Sequence, residues 1–245
     1  MATTTTLSGR EAHHIDQIWR SIEAERPHWS SFQATDIPGV PTDRREFWGE
    51  FAKSSMRKIL PILNEFILST SGDGKVAIDL GCGNNESIVV LLSRGWRVIA
   101  VDYSESSLSA LKDTIKADSR INTDSFQLEV VCEDITTYTP EKPADLVIAS
   151  NVLPYIDPAK FRETWMKIHN LCVKQGGIFI GTLIQKIDSK EIMGRVEINQ
   201  AWTLSGSYLV RHLLKQTGYG EETCKFVKHF RGKQQLVIQF MAKKI

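Results

Sequence analysis

Val76-Ala77-Ile78-Asp79-Leu80-Gly81-Cys82-Gly83-Asn84-Asn85-Glu86 runs from a short apolar segment, through two glycines, to an acid that opens a helical stretch. Glycines at such a strand-to-helix turn let backbone approach a ligand closely, as α/β nucleotide-binding folds require. A dinucleotide fingerprint would place another glycine at position 86, where this chain has Glu86. A carboxylate at a helix N-terminus competes with a pyrophosphate for the same N–H groups. Glu86, with Asp79 at the strand's end, instead suits a ligand that lacks phosphates and carries a sulfonium and an ammonium. The loop therefore favours S-adenosylmethionine over NAD or ATP.

From Lys75 onward, strand and helix patterns alternate. Arg97–Val101, Phe126–Val131, Leu146–Ser150 and Ile178–Leu183 read as further strands. Helices are expected over Glu86–Arg94 and from Ser104 to about Ala117. Another starts with Asp157 as N-cap and Pro158 in its first turn. Its buried stripe is read as Phe161, Trp165, Ile168 and Leu171, with Gly176–Gly177 ending it. Such alternation predicts a parallel sheet covered on both faces. After a helix ending near Gly218, the runs Thr223–Phe230 and Gln235–Met241 are separated by only Arg231, Gly232, Lys233 and Gln234. They must pair as an antiparallel hairpin.

The chain before this region reads differently. Ser8 with Glu11 has the form of a capping box, and Ile15, Ile18, Trp19 and Ile22 follow helical spacing. Pro38 and Pro41 mark a loop. A second helix is expected from Asp43 through Phe47, Phe51, Ile59, Leu63 and Phe66, kinked or split at Pro61. Residues 1–74 are thus expected to form a helical extension on a catalytic domain spanning 75–245. Trp19, Trp29, Phe32, Phe47 and Trp48 either pack this extension on the sheet or form a mobile aromatic cover from about Ile15 to Phe51. The aperiodic segment 185–202 is expected to wall a substrate site.

Composition excludes several classes. With 30 Lys plus Arg against 29 Asp plus Glu, the chain has no overall basic field for nucleic acid. Cys82, Cys132, Cys172 and Cys224 are scattered, so neither a zinc knuckle nor a disulfide framework is expected, and no metal site is assigned. No signal peptide or membrane span is expected, which places the protein in the cytoplasm.

Further acids fall at the carboxyl ends of the strands. Asp102 closes the second strand, suited to accept from both ribose hydroxyls, and Tyr103 can lie against the adenine. Asp134, after the third strand, can accept from an exocyclic amine or can simply cap a turn. Ser150 and Asn151 end the fourth strand beside the switch point, where open α/β sheets bind ligands. Tyr155 either lines the acceptor pocket as the candidate catalytic residue or packs on Phe161.

With these blocks in order, the sequence resembles the class I methyltransferase family over roughly Lys75–Ile245. The blocks are the glycine loop, Asp102, Asp134, Asp145–Ile156, and Leu213–Tyr219 before the hairpin. Within the family it is similar to small stand-alone enzymes of the tellurite-resistance and related small-molecule type. The resemblance implies a doubly wound α/β fold with a seven-stranded, mostly parallel sheet and an antiparallel last strand. It implies that Gly81 and Gly83 lie near the methionine portion of the cofactor, Asp102 on the ribose, and Asp134 with Ile135 on the adenine. The chain departs from many members at Asn84 or Asn85, where they have a third small residue.

Two uses of the fold compete. One is methyl transfer, leaving S-adenosylhomocysteine, to a small molecule in preference to a protein side chain. The other is a non-catalytic cofactor-binding module, which the intact Gly81, Gly83, Asp102 and Asp134 argue against. No His-Asp or lysine device for activating an alcohol is evident. Asn151-Val152-Leu153-Pro154-Tyr155 resembles the Asn-Pro-Pro-Tyr of amine methyltransferases, but two residues separate Asn151 from Pro154.

Overall fold

The computed structural model describes residues 16–20, 22–23, 56–121, 126–185, 207–231 and 233–245. Strands β1 (Val76–Leu80), β2 (Arg97–Asp102), β3 (Gln127–Cys132) and β4 (Ala144–Ala149) are short and largely apolar. Helices α1 (Pro61–Ser69), α2 (Glu86–Ser93) and α3 (Glu105–Ala117) precede or connect the first three. Then come α4 (Pro158–Lys167), β5 (Val173–Gln185), α5 (Ser207–Gln216), β6 (Tyr219–Arg231) and β7 (Lys233–Lys244). The seven strands lie in the order β3-β2-β1-β4-β5-β7-β6. The first five are mutually parallel, and β7 runs antiparallel to both of its neighbours. The expected sheet is the observed one.

Side-chain alternation sorts the core into two layers. Ala77, Leu146, Ile148 and Ile180 meet α1, α2 and α3 on one face. Ile78, Leu80, Val147, Phe179, Ile238 and Phe240 meet α4 and α5 on the other. Ile18, Trp19 and Ile22, from a helical segment over 16–20 and 22–23, are buried in this second layer, with Trp19 6.1 Å from Phe161. The remainder of the expected 15–51 cover, the Ser8 box, and positions 43–55 and 186–202 lie outside the described residues.

Three local expectations are corrected. Of the kink and the split expected at Pro61, the structure shows no kink, and a helix begins at this residue as a split requires. Pro61 occupies the first turn of α1, where its missing N–H costs nothing, and Ile59 lies before the helix. The stripe on α4 breaks because the chain widens into a π-type turn over Ile168–Cys172. That extra residue rotates Leu171 outward to 44% exposure and brings Cys172 inward. Gly176 and Gly177 do not end the helix, since β5 has already begun at Val173. They form an irregularity where five residues of β5 pass two of β4, and a side chain on Gly177 would strike the carbonyl oxygens of Lys174 and Ala144. The hairpin is also longer than its apolar runs suggest, with Arg231 paired to Lys233.

Packing explains the Leu213–Tyr219 block. Trp165, 1% exposed, donates its indole N–H to Thr217 Oγ1 at 3.1 Å, and that hydroxyl donates to the Leu213 carbonyl at 2.7 Å. The buried polar end of the tryptophan is thereby satisfied. Lys244 donates to the carbonyls of His169 (2.5 Å) and Val173 (2.9 Å), capping the π-type turn.

Candidate functional site

At the carboxyl edge of β1 the chain turns through Gly81 and Gly83, both with positive φ (66° and 52°). A side chain on Gly81 would strike Val152, and one on Gly83 would strike the guanidinium of Arg57. The turn is held against β2 by N–H donation from Gly81 and Cys82 to the Val101 carbonyl. Asn85 caps α2 by accepting from the Ser87 N–H at 3.1 Å.

Arg57 was not singled out by the sequence. Its backbone N–H donates to the Asn84 carbonyl, and its carbonyl accepts from Glu86 N–H, both at 2.9 Å. It thus forms a one-residue parallel bridge with Asn85. This bridge braces the loop. The guanidinium reaches the Gly81 and Cys82 carbonyls at 3.5 Å. A lone arginine 24 residues before the loop carries no sequence signal, because only the fold brings the two together.

Asp79 and Asp102 face this arginine. Asp79 is fully buried; Oδ2 accepts from Ser87 Oγ at 3.0 Å, while Oδ1 has no partner. Burial pushes its carboxyl up to about 7, with Ser87 and Arg57 opposing and Asp102 reinforcing the rise. Asp102 is 6% exposed, and both of its oxygens are engaged. Oδ2 accepts from Gly83 N–H at 2.8 Å and Oδ1 from Ser104 N–H at 2.9 Å. Burial raises its pKa against these two bonds and Arg57. Each carboxylate oxygen retains a lone pair, so Asp102 can tie the loop and still accept from a ligand.

The other predicted residues lie along the same edge. Asp134 is exposed after β3, and its Oδ1 accepts from Thr136 N–H at 2.8 Å, the turn-capping role. Ile135 turns its side chain into the core. Tyr103, half-buried, follows Asp102, and its carbonyl accepts from the Cys132 thiol. Ser150 is buried after β4. Asn151 has φ 55°, the one non-glycine residue with positive φ among the described residues. Tyr155 lies in a short 3-10 turn over Leu153–Tyr155, and burial pushes its phenol up although Arg57 pulls it down. Burial thereby favours the neutral phenol.

These residues fit S-adenosylmethionine. Asp79 Oδ1 is an orphaned buried acceptor suited to an ammonium, and Arg57, whose guanidinium fills the space a side chain on Gly83 would take, provides a cation at the loop.

Fold and site together define a class I methyltransferase, and comparison with known proteins agrees. Residues 77–177 match the family described as "Methyltransferase domain". The ubiquinone biosynthesis O-methyltransferase of Idiomarina loihiensis is 27% identical over 175 residues, covering 68% of this chain and 67% of that protein. Among solved structures, TehB from Haemophilus influenzae superposes with a TM-score of 0.62 at 13% identity, covering 83% of this chain and 68% of that one. Magnesium protoporphyrin IX methyltransferase from Synechocystis, with bound S-adenosylmethionine, gives 0.55 at 15% identity, covering 99% and 100%. With the fold, these likenesses support an S-adenosylmethionine-dependent methyltransferase of the class I type. Among the described residues no helix is long and apolar enough to cross a membrane.

Proposed function

We propose that this methyltransferase acts on a small-molecule acceptor, with the cofactor held by the loop-centred cluster of Arg57, Asp79 and Asp102. The observation that carries the cofactor placement is the buried, unpartnered Oδ1 of Asp79 beside Arg57 at a glycine turn. In this reading Asp79 receives the ammonium and Arg57 the carboxylate of the methionine portion. Asp102 receives the ribose hydroxyls while it ties Gly83, and Asp134 reaches the adenine amine from the end of β3.

The cofactor supplies an already activated methyl group on a sulfonium. The chain's task is to align the acceptor for in-line attack and to keep water out, worth up to ~7–11 kcal/mol when geometry is near-attack. Tyr155, whose neutral phenol burial favours, can donate a hydrogen bond to the acceptor or form a wall of its pocket. The named relatives support a small acceptor, since one is a ubiquinone-biosynthesis enzyme and another a magnesium protoporphyrin IX enzyme.

Incubation with methyl-labelled S-adenosylmethionine and a metabolite extract, split into small-molecule and protein fractions, tests this. Label is expected in the small-molecule fraction. Label confined to protein would overturn the acceptor reading.

A further inference from the structure

A buried polar row leads away from the glycine loop. The loop touches Val152 at Gly81, and the preceding residue, Asn151, donates its N–H to Thr182 Oγ1 at 2.7 Å. The Thr182 hydroxyl donates in return to Asn151 Oδ1 at 3.4 Å. Thr182 is paired across the β5–β7 ladder with Gln239, on a strand ~4.8 Å away. Alternation puts Thr182 and Gln239 on the face of Ala77, Asp79 and Ile180, opposite Leu183, Ile238 and Phe240.

Gln239 is the unexplained member. It is 1% exposed, and its Oε1 has no hydrogen-bond partner. Thr182 does not serve it, because that hydroxyl donates to Asn151. A strand with Val237, Ile238 and Phe240 buried around it has no folding need for an amide here. A buried orphan acceptor is a standing cost that native proteins retain mainly where a ligand relieves it. The left-handed backbone of Asn151 adds local strain at the same end of the sheet.

We propose that Asn151, Thr182 and Gln239 form the acceptor-recognition floor of this enzyme, with Gln239 Oε1 accepting a hydrogen bond from a hydroxyl of an uncharged acceptor. The proposal rests on the cofactor reading above and extends it to substrate class. The row holds two amides and a hydroxyl, and the nearest cation, Lys225, paired with Gln239 on β6, is already held by Glu65 at 2.5 Å. An amine, ammonium at neutral pH, finds no carboxylate in the row, whereas a hydroxyl matches a lone neutral acceptor. Ile184, two residues past Thr182 on the same face, gives an apolar flank, which suits a hydroxyl on an apolar frame. Only half-buried Asn151 opens the row to solvent, so a hydroxyl seated on Gln239 is desolvated.

The test titrates catechol, and 1,2-dimethoxybenzene as the control without a donor, into the full-length protein saturated with S-adenosylhomocysteine. Wild type is expected to bind catechol about tenfold more tightly than the control. Gln239→Met should abolish that preference while leaving S-adenosylhomocysteine affinity within about twofold, and Gln239→Glu, which keeps an acceptor oxygen, should retain it. If Gln239→Met does not melt cooperatively, Thr182→Val replaces it and should lower the preference by freeing Asn151. No preference in wild type, or an undiminished preference in the folded variant, overturns the proposal. Failure of wild type to bind S-adenosylhomocysteine is a separate result, which removes the cofactor reading itself.

Discussion

Substituting Asp102 with alanine removes an acceptor that serves two buried backbone donors before any ligand arrives. Gly83 N–H and Ser104 N–H, at 2.8 and 2.9 Å, are both left without partners. Each unsatisfied buried donor costs about 1–3 kcal/mol, so the gross penalty is ~2–6 kcal/mol. Removing a carboxyl whose pKa burial has raised gives some of this back, because a desolvated charge no longer has to be held. The expected net loss is ~2–4 kcal/mol, a large fraction of a typical domain's stability. Asp102→Asn keeps one acceptor oxygen and should lose about half as much. Urea unfolding followed by circular dichroism measures this as a lower midpoint at unchanged slope. Cofactor affinity should also fall, by roughly ten- to a hundredfold, as charged hydrogen bonds to the ribose are lost. A midpoint equal to wild type would refute the loop-tying role. An unchanged dissociation constant in the same variant would remove Asp102 from the ribose site.

Other expected outcomes follow from the same contacts. Asp79, about 7 folded against 3.8 as the ordinary value, binds more protons folded than unfolded between those limits. Its contribution to stability therefore falls as pH rises from about 4 to 7 and is level above, and Asp79→Asn should flatten that slope in urea titrations. Because an ammonium prefers the ionised carboxylate, S-adenosylhomocysteine should bind more weakly below pH 7 with proton release, which calorimetry in two buffers of different ionisation enthalpy detects. Gly83→Ala places a side chain at φ 52° against the Arg57 guanidinium, so it should weaken S-adenosylhomocysteine binding at least about tenfold in calorimetry. Thr217→Val leaves the Trp165 N–H unsatisfied and should cost ~1–3 kcal/mol in urea unfolding with cofactor affinity unchanged.

The sheet was legible because its strands are short apolar runs at regular intervals, and because Gly232 between two long runs leaves only a hairpin. Asp157 and Pro158 also marked a helix start correctly, with Asp157 Oδ1 accepting from Ala159 N–H at 2.9 Å. Leu171 was misassigned because an ideal helical period was carried through a turn that inserts one residue, and Gly176–Gly177 were read as a stop although they serve a strand irregularity. Arg57 and Gln239 were invisible for a different reason. Each matters through a neighbour far away in the chain, the loop at 81–86 for one and Thr182 for the other. Neither belongs to a local pattern. The dual engagement of Asp102 was likewise hidden, since a sequence shows an acid at a strand's end but not which N–H groups it already holds.

The central claim is that the glycine loop with Arg57, Asp79 and Asp102 is a binding site for S-adenosylmethionine and its demethylated product. Calorimetric titration of the full-length protein with S-adenosylhomocysteine, and separately with NAD, tests it most directly. One saturable site for S-adenosylhomocysteine, weakened in Asp102→Ala and absent for NAD, is the predicted result. Saturable NAD binding with no heat from S-adenosylhomocysteine would contradict it.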